Sequence, residues 1–404
     1  MPPEPTDEPC EETRRTSTRG ASRLRLTGMV VVLHLWLGAG FSAGADRKPG
    51  TSAIFEKLSA DDQPGLAVLV RKDGAIVFER GYGARDLRTR ARVDARTNFR
   101  LASVTKQFTA MAIMLLVRQG KLRYDDRLTD LLPEFPAYGK AITLRHLLNH
   151  TSGLPDYEDL MEAAQRGKPP IWTEEHQISD QEVLALLGQQ TQGRFLPGTS
   201  WSYSNSGYVV LGWIVSRVSG SAFGDFLRAR IFAPLHMDRT LAYVKGRNRV
   251  SNRAFGHTKD ADRFRETDQS STSATLGDGG VYSNLEDLAK WDDALQARRL
   301  LGDAEMEPAM TPARLVDGLE PRWPAEPSAD NLHPGQPVSY GFGWFLDPYQ
   351  GRPRSWHFGE TMGFRTVIER FPADRLTVVI LCNRTDLDPQ ALASKVAAQY
   401  LTKD

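Results

Sequence analysis

Hydrophobic residues along this chain fall into two kinds of pattern, strand-like towards both ends and helix-like between them. PGLAVLVRKDGAIVFERGYG (64–83) holds two β-rich runs around Asp73-Gly74. A dipeptide that tolerates positive φ between two such runs predicts a hairpin. VTKQFTAMAIMLLVRQG (104–120) is different, because between Phe108 and Val117 only Thr109 is polar. Without a polar face, this stretch predicts a helix buried nearly all round, lying between a sheet and other helices and ending at Gly120.

Residues 125–300 read as helix-dominated. ITLRHLLNHTSGLPDY (142–157) predicts a short helix ending in a turn, and SNSGYVVLGWIVSRVSG (204–220) sets Tyr208, Leu211, Val215 and Val218 on one face before stopping at Gly220. SNLEDLAKWDDAL (283–295) opens with Ser283 and Glu286 at capping-box spacing. Residues 240–275 are charged and irregular, and 312–337 carry six prolines, a long loop suited to a lid or a rim. SYGFGWFL (339–346), GFRTVIERF (363–371) and RLTVVILCN (375–383) return to β character, and DPQALASKVAAQYL closes the chain as a helix. The expected fold class is α/β of the α+β kind. It has one antiparallel sheet built from both chain ends, flanking helices, and a mainly helical region inserted at about 125–300.

Composition narrows the function. The 404 residues are 40% hydrophobic and 25% charged, with 51 basic residues against 50 acidic ones. No basic field is available for nucleic acid, and no acidic tail appears. Near the N-terminus, Arg19, Arg23 and Arg25 precede the apolar run MVVVLHLWLGAGF (29–41) and the small residues Ala43-Gly44-Ala45. That order predicts a secretory signal peptide over residues 1–45, with export to the periplasm or the extracellular space and a mature domain from 46 to 404. Thirteen mainly apolar residues containing His34 are short of the roughly 20 that a spanning helix needs, so no stable membrane span is expected once the leader is removed. Losing Cys10 with the leader would leave Cys382 alone, in an apolar strand-like run, as a small buried hydrophobe.

The candidate chemistry sits in three places. Ser103 stands three residues before Lys106, so one helical turn brings both to the same side. A lysine in a desolvated pocket loses proton affinity and can act as a base, whereas on a surface the same pair is only a helix cap and a solvated charge. In PGTSWSYSNSGY (197–208), Tyr203 could relay a proton, and the Asn205 amide could bind both a lysine and a substrate carbonyl. Alone, that segment reads equally as a turn with an Asn cap. RSWHFGETMGF (354–364) puts His357 and Gly359 ahead of Glu360, whose amide could face a carbonyl oxygen. His146 and His150 have the i,i+4 spacing of a shared metal site but lack the accompanying Glu of a zinc hydrolase, so a structural role is expected and no metal or cofactor is assigned.

Taken in order, S-V-T-K (103–106), Y-S-N (203–205) and H-F-G (357–359), with LLNHTSGLPDY (147–157) and GDGGVYSNLEDLAKW (277–291), resemble the active-site serine penicillin-recognising enzymes. These are the class C β-lactamases, D,D-peptidases, and the esterases and D-aminopeptidases that share their fold. The resemblance runs from about residue 52 to the C-terminus. It implies that Ser103 is the acylated nucleophile and that Lys106 and Tyr203 manage its proton, with the choice of base open. It further implies that Asn205 orients substrate, that His357 and Gly359 line the strand beside it, and that the amides of Ser103 and Glu360 form the oxyanion hole. The substrate would be a small molecule or peptide, and the resemblance leaves the oligomeric state open. Two departures lower the expectation of β-lactamase activity: His357 where class C β-lactamases carry a lysine, and the negative charge of Glu360. Arg352, Arg354 or Arg365 could restore recognition of a carboxylate. The alternative to a hydrolase of esters or amides is a β-lactam-binding sensor, or a scaffold that kept the fold without turnover.

Overall fold

The computed structural model describes residues 50–401 except 59, 61 and 327–332, so the expected leader lies outside the described residues. Strands β1 (Leu66–Lys72) and β2 (Ala75–Tyr82) pair antiparallel, with Lys72 opposite Ala75. Asp73 and Gly74 between them have φ of 54° and 80°, the two positive values that a right-twisted hairpin turn requires.

The chain then runs through a short strand, Phe99–Arg100, into a 3-10 turn at Ala102–Thr105, and only then into helix α1 (Lys106–Arg118). Ser103 therefore lies just ahead of α1, not on it. Every α1 residue from Lys106 to Leu116 is buried, as the nearly unbroken apolar run from Phe108 requires, and the burial takes in the polar Lys106, Gln107 and Thr109. Phe108 packs on Phe232 and Trp291, with ring centroids 5.3 and 4.7 Å away.

Helix α2 (Leu144–Leu148), helix α3 (Asn205–Ser219) and helix α4 (Leu285–Gln296) follow. Ser204 caps α3 by accepting from the Gly207 amide, and Gly220 closes the helix at φ 71°. The expected capping box of α4 moves by one residue: Asn284 is the cap, accepting from the Asp287 amide at 3.0 Å. Ser283 cannot serve because it ends a strand, Val281–Ser283, and pairs with Phe99. Its hydroxyl is held by Thr240 at 2.7 Å. Within the stretch expected to be irregular, His257–Asp260 and Arg263–Glu266 form a hairpin. Alternating charges hid it, since both strands are largely solvent-facing.

Strands β3 (Ser355–Thr361), β4 (Phe364–Phe371) and β5 (Leu376–Cys382) complete the main sheet, and helix α5 (Pro389–Tyr400) packs on it. The order is β3-β4-β5-β1-β2, antiparallel throughout, so β5 and β1 join the two chain ends as expected. SYGFGWFL does not form a strand. It bends at Gly343, φ 76°, where a Cβ would lie 2.9 Å from the Lys106 carbonyl oxygen.

Strict alternation divides the core. Ala67, Leu69, Val379 and Leu381 face the same apolar cluster as α1, while Leu66, Val68, Val378 and Ile380 face another that includes Phe55, Ala393 and Val396. Both faces of the central strands are therefore covered. Cys382 is a free, fully buried thiol in the second cluster, and burial pushes its pKa up to about 12. The described part of the proline-rich loop runs along 197–201: the Val316 amide donates to Gly198 and Trp323 packs on Trp201. Among the described residues, no helix is long and apolar enough to cross a membrane.

Candidate active site

Leu101 ends the approach to the site, and Ala102 turns it. Ala102 has φ of 47°, a left-handed conformation that costs a non-glycine residue about 1–3 kcal/mol and that redirects the chain into the 3-10 turn. Behind this turn lies β3. A Cβ on Gly359 would sit 2.1 Å from the Leu101 carbonyl oxygen and 2.3 Å from Thr366 Oγ1, so only glycine allows this approach. The Thr366 hydroxyl donates to that same carbonyl at 2.7 Å and ties the turn to the sheet.

The turn places Lys106 Nζ 3.0 Å from Ser103 Oγ. The lysine is fully buried. Its amine also donates to Asn205 Oδ1 at 2.8 Å and to the Asp278 main-chain carbonyl at 3.1 Å. Nζ lies 4.9 Å from the centroid of the Tyr203 ring and 5.5 Å from that of Tyr208. Ser103, Lys106, Tyr203 and Asn205, spread over a hundred residues of sequence, thus form one cluster. Asn205 is the first residue of α3, and its amide donates to Asp156 Oδ2 at 3.2 Å. Asp156 in turn caps the helix Tyr157–Gln165, so a single carboxylate fixes both that helix start and the start of α3 at Asn205.

His357 lies on β3, the strand beside the cleft. Its imidazole is fully buried, and the residues of β3 that line the cleft beside Ser103 are Glu360 and Thr361. Nδ1 faces the Phe358 carbonyl oxygen at 2.6 Å and must carry the hydrogen, so Nε2 accepts from the Tyr340 hydroxyl at 3.0 Å. Burial, assisted by the nearby Lys106 charge, pushes its pKa down to about 3, and the ring is neutral at physiological pH.

Sequence reasoning assigned no catalytic part to His150, and its metal alternative fails on geometry. Helix α2 ends at Leu148, and His150 sits at φ 64° beyond it, so His146 and His150 do not share a helical face. His146 Nδ1 accepts from the Thr143 amide within a helix cap, and His150 Nδ1 accepts from the Ser204 amide at 3.2 Å. The His150 ring is buried among Tyr203, Tyr340 and Tyr208, at centroid distances of 4.4, 4.6 and 5.2 Å. Burial holds its pKa well below the usual histidine range.

The cleft in front of Ser103 is also lined by Arg100, Tyr157, Glu158 and Asp278. Asp278 and Tyr157 come from GDGG and LPDY, segments that carried the family resemblance without an assigned chemistry. Glu360 sits opposite Arg365 in the β3–β4 register and forms a salt bridge with it, which offsets its charge. Arg352 is paired with Asp374, and Arg354 with Asp347 and Glu369. None of the three arginines offers the unpaired guanidinium that carboxylate recognition would need.

The chain is similar to known proteins over most of its length. The chain is 32% identical over 371 residues to a penicillin-binding protein of Bacillus subtilis, covering 88% of this chain and 76% of the relative. It is 29% identical over 338 residues to a D-aminopeptidase of Cereibacter sphaeroides, covering 83% of this chain but only 60% of that longer protein. Among solved structures, the octameric penicillin-binding protein homologue from Pyrococcus abyssi superimposes with a TM-score of 0.71 at 27% identity, covering 86% of this chain and 76% of that one. The family model described as Beta-lactamase matches residues 51–401. With a buried lysine beside a serine in the cleft, an antiparallel sheet behind them and a family match from residue 51 to 401, the chain belongs to the beta-lactamase family.

Proposed function

We propose that this chain is a class C-related serine hydrolase that forms an acyl-enzyme on Ser103 and cleaves small amides or esters. The observation that carries the reading is the Lys106 amine, buried and 3.0 Å from the Ser103 hydroxyl. Two of its partners, Asn205 Oδ1 and the Asp278 carbonyl, only accept hydrogen bonds. Once it has given up its extra proton, the amine spends its two remaining hydrogens on them and turns its lone pair to Ser103. As Oγ bonds to the substrate carbonyl carbon, its proton passes to Nζ. The tetrahedral oxyanion rests on the amides of Ser103 and Glu360, each such donor being worth about 3–4 kcal/mol. Collapse breaks the bond to the leaving amine or alcohol, which takes the proton from Nζ, with Tyr203 at hand as a relay. Water then attacks the ester by the same proton route and releases the acid.

In this reading residues 1–45 direct export, and β-lactam hydrolysis is a minor activity because no lysine stands at position 357. The test is mass spectrometry of the purified protein after incubation with p-nitrophenyl acetate and with a fluorescent penicillin. Acyl mass on the peptide containing Ser103, absent in Ser103→Ala, is the expected result. A folded protein that gains no acyl group from either probe would end the proposal. Acylation without subsequent turnover would favour the sensor alternative.

A further inference from the structure

Tyr203 has no regular element to fix it, because residues 200–204 lie outside any helix or strand. Contacts on both sides of it come from one residue, His150. The Ser202 amide donates to the His150 carbonyl oxygen at 3.0 Å, and the Ser204 amide donates to His150 Nδ1 at 3.2 Å. Between those two bonds the Tyr203 ring lies 4.4 Å from the His150 ring on centroids, tilted by 39°. The same phenol ring is 4.9 Å from Lys106 Nζ. A histidine from the turn after α2 thus grips the residues before and after a tyrosine of the Ser-Lys cluster.

Packing alone does not account for a histidine here. His150 is 1% exposed. A main-chain amide can only donate, so Nδ1 is the acceptor and the hydrogen of the neutral ring sits on Nε2. That Nε2 is buried and has no hydrogen-bond partner among the described residues. Burying a donor unpaired is costly, and an apolar ring of the same size would avoid the cost. What the apolar ring would lack is Nδ1, the acceptor for Ser204. A left-handed φ of 64° adds a second cost at the same residue, of the kind found where function fixes a position. Burial and the Lys106 charge keep the ring neutral, so Nδ1 stays an acceptor.

We propose that His150 is a positioning residue for Tyr203, holding the phenol where it hands a proton to the leaving group. This rests on the serine hydrolase reading above, in which Tyr203 is the relay. As the bond from the carbonyl carbon to the leaving oxygen or nitrogen breaks, the phenol gives its proton to that atom. The proton that Lys106 took from Ser103 then restores the phenol. His150 itself touches neither substrate nor proton. Its effect should grow with the leaving group's need for a proton, whereas a residue that only stabilises the fold affects every substrate alike.

The experiment compares kcat/KM of the full chain for p-nitrophenyl acetate and benzyl acetate. Both give the same acetyl-enzyme, so each value reports acylation alone. p-Nitrophenol leaves as its anion, but benzyl alcohol must be protonated as it leaves. His150→Phe keeps a ring and loses the acceptor. It should raise the p-nitrophenyl to benzyl ratio by about tenfold to a hundredfold, as expected for a misplaced general acid. His150→Asn puts its amide oxygen near the place of Nδ1 and tolerates positive φ, so it should return the ratio towards the wild-type value. In Tyr203→Phe the ratio should already be high, and adding His150→Phe should not raise it further, since both act through one step.

A ratio unchanged in His150→Phe, a ratio that His150→Asn fails to restore, or a further rise in the double variant overturns the proposal. If His150→Phe does not fold by circular dichroism, His150→Gln, whose oxygen reaches the place of Nε2, is measured against His150→Asn by the same criteria. Wild-type cleavage of p-nitrophenyl acetate with none of benzyl acetate also overturns it, because no proton then reaches the leaving group. In each of these cases an acetyl adduct on Ser103 leaves the hydrolase standing. Absence of the adduct overturns both.

Discussion

In the proposed mechanism Lys106 governs how Ser103 reacts, because its hydrogen-bond contacts to Ser103, Asn205 and the Asp278 carbonyl are not equivalent. The contacts to Asn205 and to the Asp278 carbonyl hold the amine in place, and the one to Ser103 is the only direction in which a proton can be exchanged with the nucleophile. Arginine keeps charge and length but presents no lone pair at accessible pH. Lys106→Arg is therefore expected to lose acylation as completely as Lys106→Met, by about 10²–10⁴-fold, the usual span for a lost general base. Stopped-flow measurement of the p-nitrophenol burst reads this directly. Arginine rescue of the burst would show that a fixed positive charge, not proton transfer, is what the residue supplies.

At the scale of elements, the site depends on how closely β3 approaches the turn that carries Ser103. Gly359 allows that approach, and it has a conformational neighbour in Ala102, whose positive φ makes the turn sharp. A methyl group at 359 cannot be absorbed by a flexible side chain, because it meets the backbone carbonyl of Leu101. Gly359→Ala should force β3 and the 3-10 turn apart, lowering kcat/KM for an activated ester by at least about a hundredfold, since small misplacements of reacting groups cost that much. Stability should fall too, by about 1–3 kcal/mol as for other overpacked sites. Parallel ester kinetics and urea melts check both; unchanged kinetics would mean that the turn does not rely on this contact.

Across the whole molecule, buried titratable groups pull stability in opposite directions with pH. His357 is held neutral, with its pKa at about 3, so its contribution is complete above the unfolded value near 6.5 and is lost as pH falls. Glu369 is fully buried, and burial raises its pKa to about 7 despite the Arg354 ion pair. Its protonated form is favoured by the fold, so its contribution is present near pH 5 and is lost as pH rises through 7. Each effect is about 2 kcal/mol between pH 7 and 5, with opposite sign. Glu369→Gln removes only the carboxylate effect. Relative to wild type, the variant should therefore lose about 2 kcal/mol of stability on going from pH 7 to pH 5, measured by urea unfolding at both. A pH-independent difference would contradict the assigned protonation state.

Much of this architecture was legible in the chain because it rests on short-range rules. The Asp73-Gly74 turn, the burial of α1 nearly all round, the Gly220 stop of α3 and the burial of Cys382 each follow from residues that are neighbours in sequence. The cap of α4 did not, since Ser283 and Asn284 both suit that position locally and a strand pairing with Phe99 decided between them. Nor did the hidden position of His357, because alternation along β3 tells which residues share a face but not which face meets substrate. Motif order brought Ser103, Lys106, Tyr203 and Asn205 to notice together. Only tertiary structure placed one lysine among three acceptors and paired Arg365 with Glu360. Local chemistry determines what a residue can do. Contacts among residues distant in sequence determine which of those capacities is used.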